Sequence, residues 1–417
     1  VLYDASRFHR TYLRGAPLPI VLDGARITEV SADRVRSAIS LIVTSDAGVS
    51  LTLFVEPRVE TARAFAATRD LHVSYYADDS IAGPDAARLV RQVVSLIEAA
   101  ETTAPREGLV CSLEAPTGLR LEVRINRECN EECAFCNTPE ASDTILGSRE
   151  AVLATLAGGF ESGHRAVTLT GRETTLDPNL VDYVRRAREL GYTTIGVQTN
   201  ATTFGSGPLL DALVEAGMNF VSVSLHTFDP EVFGAIVGKP RLLEKALAGL
   251  RALQRHPHVE TVLVTVLTTK NLAELPSLVA RVADELPHAR TITVSPMAPV
   301  GDGRSRIDLV PRPSDVSESL ARAVAIARAR NVRIVVPTRC GMPMCLMPPG
   351  TESVNQELDN PPLSRAEPAK SKLARCHSCV YDRICSGVWT EVLAAYGEDE
   401  WKPVTTLPAG VALRRGR

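Results

Sequence analysis

"LEVRINRECNEECAFC", residues 121–136, passes from a strand-like apolar alternation into three cysteines spaced C-x3-C-x2-C. Cys129, Cys133 and Cys136 are three of the nine cysteines in the chain, and the next one along is Cys340. Three thiolates are one short of a closed structural zinc site, which takes four ligands, usually as two close pairs. Iron–sulfur clusters are also held by closely spaced thiolates. A four-iron cluster on three cysteines leaves one iron open to a small molecule. The spacing favours such a cluster over zinc.

Downstream of this loop, short apolar runs alternate with amphipathic stretches of helical length. Strands are predicted at "LRLEVRI", "AVTLT", "TTIGVQT", "FVSVSL", "VETVLVTVL" and "TITVSP". Helices are predicted at "SREAVLATLAGGFESG", capped by Ser148, and at "DPNLVDYVRRARELG". The second has Asp177 as cap, Pro178 at the first helical position and Gly191 at the end. Alternating strand–helix units imply a parallel sheet with right-handed crossovers. Six units between about 119 and 300 are too few for an eight-fold barrel. The predicted fold class is α/β, a partial (β/α)6 TIM-like barrel with its chemistry at the C-terminal strand ends.

A small α+β domain is predicted over residues 1–112, with strands "AISLIVTS", "VSLTLFVEP" and "LHVSYYA" and helices near 60–68 and 84–100. The barrel takes 113–310, and a Cys-rich C-terminal extension takes 311–417, opening with a helix at "VSESLARAVAIARARN". "ETTAPREGLVCSLEAPTG" reads as a linker, and Cys111 as a small buried apolar residue. A net charge of −3 carries no electrostatic footprint for nucleic acid. No apolar run nears the roughly 18 residues a membrane span needs, and "VLYDASRFHR" lacks a secretory pattern. A cytoplasmic protein is expected, and in that reducing setting clustered cysteines bind metal more often than they form disulfides.

Strand alternation predicts a polar lumen. In "FVSVSLH", Val221, Val223 and Leu225 point one way, and Ser222, Ser224 and His226 the other. In "TIGVQTN", Ile195 and Val197 share one face, and Gln198 and Asn200 the opposite one. A filled structural barrel would place bulky apolar residues inside, so this lining suggests a ligand cavity.

The C-x3-C-x2-C loop after a first strand, with aromatic Phe135 before the third cysteine, resembles the radical S-adenosylmethionine (radical SAM) superfamily. "VTLTGRETTLDP" resembles that family's Gly-Gly-Glu motif at Gly171 and Glu173, with Arg172 in place of the second glycine. The resemblance implies a [4Fe-4S] cluster on Cys129, Cys133 and Cys136 whose open iron chelates S-adenosylmethionine. Reductive cleavage of that cofactor would give a 5′-deoxyadenosyl radical that takes hydrogen from a substrate. By the same resemblance, Gly171 and Glu173 hold the methionine amino group, while Asn200 and Ser224, with Gln198 and His226, meet the carboxylate and ribose. For His226 a hydrogen-bonded structural role is an equal alternative.

"TRCGMPMCLMPP" and "ARCHSCVYDRICSG" add Cys340, Cys345, Cys376, Cys379 and Cys385. They resemble SPASM or twitch auxiliary extensions, but Trp389 stands where a further family cysteine would fall. One auxiliary [4Fe-4S] cluster is expected on Cys345, Cys376, Cys379 and Cys385, with Cys340 as a substitute for Cys345. The resemblance implies natural-product biosynthesis, with a ribosomally made peptide as substrate and an electron donor such as flavodoxin or ferredoxin. An exposed N-terminal sheet edge would suit a leader peptide. The alternatives are a small-molecule or cofactor-precursor substrate, and a zinc-binding scaffold without catalysis. No residue is assigned a catalytic role.

Overall fold

A computed structural model describes the chain apart from residues 1–7, 10–11, 34–37, 49, 58–65, 69–70, 78–82, 102–119, 137–144, 147, 162–163, 339, 359–369, 383, 409–410 and 412–417. The predicted linker and Cys111 fall almost wholly outside the described residues.

The N-terminal sheet contains β1 (Ile20–Leu22), β2 (Ala25–Asp33), β3 (Ala38–Ser45), β4 (Ser50–Pro57), β5 (Ala66–Thr68) and β6 (Leu71–Ala77). Its strands pair antiparallel in the order β1-β2-β3-β4-β6-β5. Alternation puts Ile39, Leu41 and Val43 of β3 and Leu51, Leu53 and Val55 of β4 on one buried face. Helix α1 (Gly83–Glu101) covers it with Leu89, Val90, Val93, Val94 and Ile97, an apolar stripe at helical spacing. Sequence reading missed β1 and β2, because a bulge between Ile27 and Glu29 breaks the period of two in "ARITEVSAD". The helix predicted near 60–68 is corrected at 66–68, which is β5 paired to β6. Pairing with a neighbouring strand overrides the local propensity there. Residues 60–65 of that prediction lie outside the described residues.

The second sheet is fully parallel. Its strands β7 (Arg120–Arg124), β8 (Ala166–Thr170), β9 (Thr194–Thr199), β10 (Phe220–Ser224), β11 (Glu260–Leu267), β12 (Thr291–Pro296) and β13 (Arg333–Val335) lie side by side in chain order. The crossovers carry α2 (Arg149–Glu161), α3 (Leu180–Leu190), α4 (Pro208–Ala216), α5 (Pro230–Val237), α6 (Leu242–Leu253), α7 (Leu275–Glu285) and α8 (Pro313–Ala329). All six predicted strands are present, and β13 adds a seventh beyond the predicted limit near 300. Its three residues, following the predicted helix α8, are too few to carry a periodic signal. β7 and β13 are the two ends of the strand order, so the barrel is open.

Helix starts follow their caps. Ser148 Oγ accepts from Ala151 N at 3.2 Å, as the sequence predicts for α2. Asp177 instead accepts from Asn179 N at 2.8 Å and closes the preceding 3-10 turn Thr174–Leu176, so α3 starts later than predicted. Gly191 ends α3 in the left-handed region, φ +100°. Val221, Val223 and Leu225 are completely buried against the helical layer, while Ser222 and Ser224 are only half-buried.

The C-terminal region is built of turns around the short pair β14 (Lys370–Ser371) and β15 (Val388–Trp389), followed by α9 (Thr390–Tyr396). A separate apolar cluster joins Met297, Leu309, Val310, Trp389, Val392 and Trp401, and Phe135 of the cysteine loop packs against it. Among the described residues no helix is long and apolar enough to cross a membrane.

Candidate functional site

Every predicted barrel site residue lies at the C-terminal end of a strand or in the loop that follows it. After β7 and β8 the chains keep pairing: Ile125 N donates to Thr170 O at 2.8 Å, and Glu173 N to Glu128 O at 2.9 Å. Asn126 Nδ2 also donates to Glu173 O at 2.7 Å. Gly171 sits between these rungs at φ +142°, where a Cβ would stand 3.0 Å from both the backbone and side-chain oxygens of Asn126. A glycine is required there on both counts.

The cysteine loop lies across the mouth of the barrel. Glu132 N and Ala134 N donate to Val237 O and Ile236 O, each at 3.0 Å, which pins the loop to the end of α5. Cys136 N donates to Cys133 O at 3.1 Å. Cys129, Cys133 and Cys136 are all half-buried. Burial pushes the Cys129 thiol up to about 11, with Glu173 and Glu131 adding to the shift and Arg172 opposing it. Burial also drives Cys133 strongly upward, reinforced by Glu131 and by its two neighbouring cysteines. Without a bound cation these thiols therefore stay protonated, and metal binding would release their protons. Glu131 is itself buried, and burial lifts its carboxyl to about 7.

Glu173 is 1% exposed. Its Oε1 accepts from Thr175 N at 3.1 Å, Thr175 Oγ1 at 2.5 Å and Thr199 Oγ1 at 2.6 Å, and its Oε2 from Asn200 N at 2.7 Å. Burial raises this carboxyl, and those same hydrogen bonds pull it back. Asn200 is similarly engaged. Its Nδ2 donates to Asn130 Oδ1 at 2.7 Å, and its Oδ1 accepts from Thr202 N and Thr202 Oγ1. Asn130 Nδ2 returns to Thr202 Oγ1 at 2.8 Å. This network ties the cysteine loop to the end of β9. Sequence reading missed Asn130, Glu131, Thr199 and Thr202, although the polar run "TNATT" at a strand end was visible. α6 closes over that run: a Cβ on Gly249 would lie 1.9 Å from Ala201 O.

Gln198 is exposed at the mouth, where its Oε1 accepts from Thr170 Oγ1 at 2.9 Å. Ser224 is half-buried two residues before His226. His226 is 3% exposed; its Nδ1 accepts from Val266 N at 3.2 Å, which places the proton on Nε2. Its ring stands edge-on to Phe135, centroids 4.8 Å apart. Burial lowers His226 from 6.5 to about 4, so it is neutral at pH 7. A histidine with a depressed folded pKa destabilises the fold as pH falls from about 6.5 to about 4. His226→Gln, which keeps an acceptor but cannot titrate, should lose less stability over that window, by on the order of 3 kcal/mol. Denaturant melts at both ends of the window check this; equal losses in the two proteins would remove His226 as the titrating group.

In the C-terminal region, Cys345 is half-buried and pushed up to about 12, first by burial and then by Cys385, Cys379 and Cys376. These four thiols are therefore neighbours. Cys385 is likewise pushed up to about 12 by burial and by the carboxyl of Glu357. Among the described residues, no group of three or more His, Cys, Asp or Glu is arranged to hold a single metal ion. Cysteines of a four-iron cluster each bind a different iron and need not converge on one point.

A family model described as the radical SAM superfamily matches residues 123–282. A probable GTP 3′,8-cyclase of Sulfurisphaera tokodaii is 31% identical over 160 residues, which are 38% of this chain and 50% of the relative. Another, from Sulfolobus acidocaldarius, is 26% identical over 222 residues, 53% of this chain and 69% of the relative. The chain thus spans about half the length of the first of these curated relatives. SuiB of Streptococcus suis bound to S-adenosylmethionine superposes with a TM-score of 0.48 at 14% identity, covering 79% of this chain and 82% of that one. The superfamily match begins in β7, takes in the three-cysteine loop and the Gly171–Glu173 turn, and runs into α7, so this segment of the chain is similar to the radical SAM superfamily.

Proposed function

We propose that the protein cleaves S-adenosylmethionine reductively and uses the resulting radical on a small polar molecule or cofactor precursor. The observation that carries this reading is the three-thiol loop pinned across the C-terminal mouth of an open parallel barrel, beside the glycine turn of β8. The donor set fits an iron–sulfur cluster: three soft thiols lie together, and the buried Arg172 Nε beside them has no partner among the described residues. When bound, such a cluster supplies one electron for breaking the sulfonium carbon–sulfur bond. Cys129, Cys133 and Cys136 would hold it. Gly171 and Arg172 would offer backbone carbonyls to the methionine ammonium, since the Glu173 carboxylate already accepts four hydrogen bonds, three of them at Oε1. Gln198 and Ser224 line the mouth where a carboxylate or ribose would lie, and His226 offers Nε2–H. Asn200 acts here as a clamp on the cysteine loop. Phe135 keeps its place under the loop by packing on His226.

The small-molecule reading draws support from relatives whose names specify a nucleotide reaction over the same barrel segment. It is therefore better supported than the peptide substrate expected from sequence. Anaerobic reconstitution with iron and sulfide tests the chemistry: about eight irons per chain and 5′-deoxyadenosine formation with a one-electron donor are expected. A colourless protein carrying zinc would overturn it in favour of a scaffold. Adding GTP, a small-molecule cell filtrate or a peptide fraction then tests the substrate class. Stimulation by the peptide fraction alone would sink the small-molecule reading.

For the C-terminal cysteines we propose one auxiliary cluster on Cys345, Cys376, Cys379 and Cys385. It lies outside the segment matched to the superfamily, so its ligands are not needed to cleave S-adenosylmethionine. Cys376→Ala or Cys379→Ala should remove about four irons and stop product formation, while uncoupled 5′-deoxyadenosine release continues. Folded, iron-quantified protein is the proper comparison, since metal binding contributes folding free energy in a loop-rich module. Product formed at the wild-type rate would reduce this cluster to a structural staple.

A further inference from the structure

Arg172 stands where the superfamily motif has glycine, and it is a large charged side chain on the turn that follows β8. Its backbone N–H points to Asn126 O at 3.5 Å, and the next residue bonds Glu128, so the turn runs alongside the segment that leads directly into Cys129. The side chain is half-buried, and its Nε lies buried with no hydrogen-bond partner among the described residues. An unsatisfied buried donor costs free energy, so such a group in a native site calls for a partner that is absent from the bare chain. Acids lie at the same place: Glu131 and Glu173 are both buried, and Glu131 Oε2 accepts from Cys133 Sγ at 3.4 Å.

We infer that Arg172 sets the reduction potential of the cluster on Cys129, Cys133 and Cys136, by bringing a permanent positive charge and an N–H donor up to the Cys129 side. This rests on the proposed cluster at that loop. Reduction adds one electron to a centre already ligated by three thiolates and flanked by two carboxyl groups. A guanidinium, which does not lose its proton in proteins, lowers the cost of that added charge. Charge and hydrogen bonds at the sulfurs are general determinants of cluster potential. Arg172 is thus a positioning and tuning residue that takes no part in bond making.

The test uses the full chain, reconstituted anaerobically, as wild type, Arg172→Gln and Arg172→Lys. Iron and sulfide are counted first. Potentiometric titration then follows the EPR signal that changes when S-adenosylmethionine is added, which separates this centre from the auxiliary one. Arg172→Gln should make reduction about tenfold less favourable, or about 59 mV lower for one electron. Arg172→Lys, which keeps the charge, should fall between it and wild type. A loaded Arg172→Gln protein with the wild-type potential overturns the inference, even if its turnover is altered, and points the side chain at substrate instead. Loss of iron from both variants also overturns it, by making Arg172 structural. A wild-type chain that takes up no cluster on the three cysteines removes the underlying function as well.

Discussion

Replacing Cys129, Cys133 or Cys136 singly with Ala is expected to bring 5′-deoxyadenosine formation down to background. On the proposed assignment each thiolate would hold the cluster, so loss of one would leave it with only two protein anchors. Glu131 is a neighbouring carboxyl, its Oε2 accepting from Cys133 Sγ at 3.4 Å. Hard carboxylate oxygen is a poor replacement for thiolate on iron–sulfur iron. The fold should survive, because the loop is held by backbone bonds to Val237 and Ile236 and by the Asn130–Asn200–Thr202 network. Iron should fall by about four per chain while the C-terminal site keeps its own. Retained 5′-deoxyadenosine formation in all three variants would refute the assignment of this loop.

The barrel was legible because its strands are buried on the helical side and polar on the other, a contrast that alternation exposes. Val221, Val223 and Ser224 fall where their period of two puts them. The seventh strand was not legible, since "RIV" has no room for a period. Nor were β1 and β2, where a bulge shifts the register halfway along. At the site, the cysteine spacing and Gly171 could be read as local features. What Glu173 and Asn200 bond to could not, because their partners come from three separate segments, around 130, 175 and 199–202. Sequence reading assigned both residues to the cofactor by resemblance, Glu173 to the family's Gly-Gly-Glu motif and Asn200 to its polar strand ends. Position marks the turn and the strand end correctly; only the folded neighbourhood tells whether their polar atoms are already spent.

That distinction makes Glu173 the site of the second large effect. An ionised carboxylate has about four acceptor positions, two on each oxygen, and Glu173 accepts from Thr175 N, Thr175 Oγ1 and Thr199 Oγ1 at Oε1 and from Asn200 N at Oε2. Oε1 takes three of these donors and Oε2 one, so the second side of Oε2 is the one position open to a methionine ammonium. The side chain caps the 3-10 turn after β8 and joins it to the end of β9, the strand that Asn200 ties to the cysteine loop. Glu173→Gln keeps the size but turns one oxygen into an NH2, which must face a donor whichever way the amide is set. A buried N–H or O–H then loses its acceptor, at about 1–3 kcal/mol, and the remaining bonds lose their charge assistance. Glu173→Ala strips all four donors and should cost about 3–5 kcal/mol. For a barrel-sized unit that corresponds to a thermal midpoint lower by on the order of 10 °C. Affinity for S-adenosylmethionine, measured on the protein that remains folded and iron-loaded, should fall only as far as the cysteine loop is loosened. The opposite pattern is the decisive one: an unchanged melt with affinity weakened roughly ten- to a hundred-fold, the loss of one charged contact, would return the Glu173 carboxylate to the cofactor.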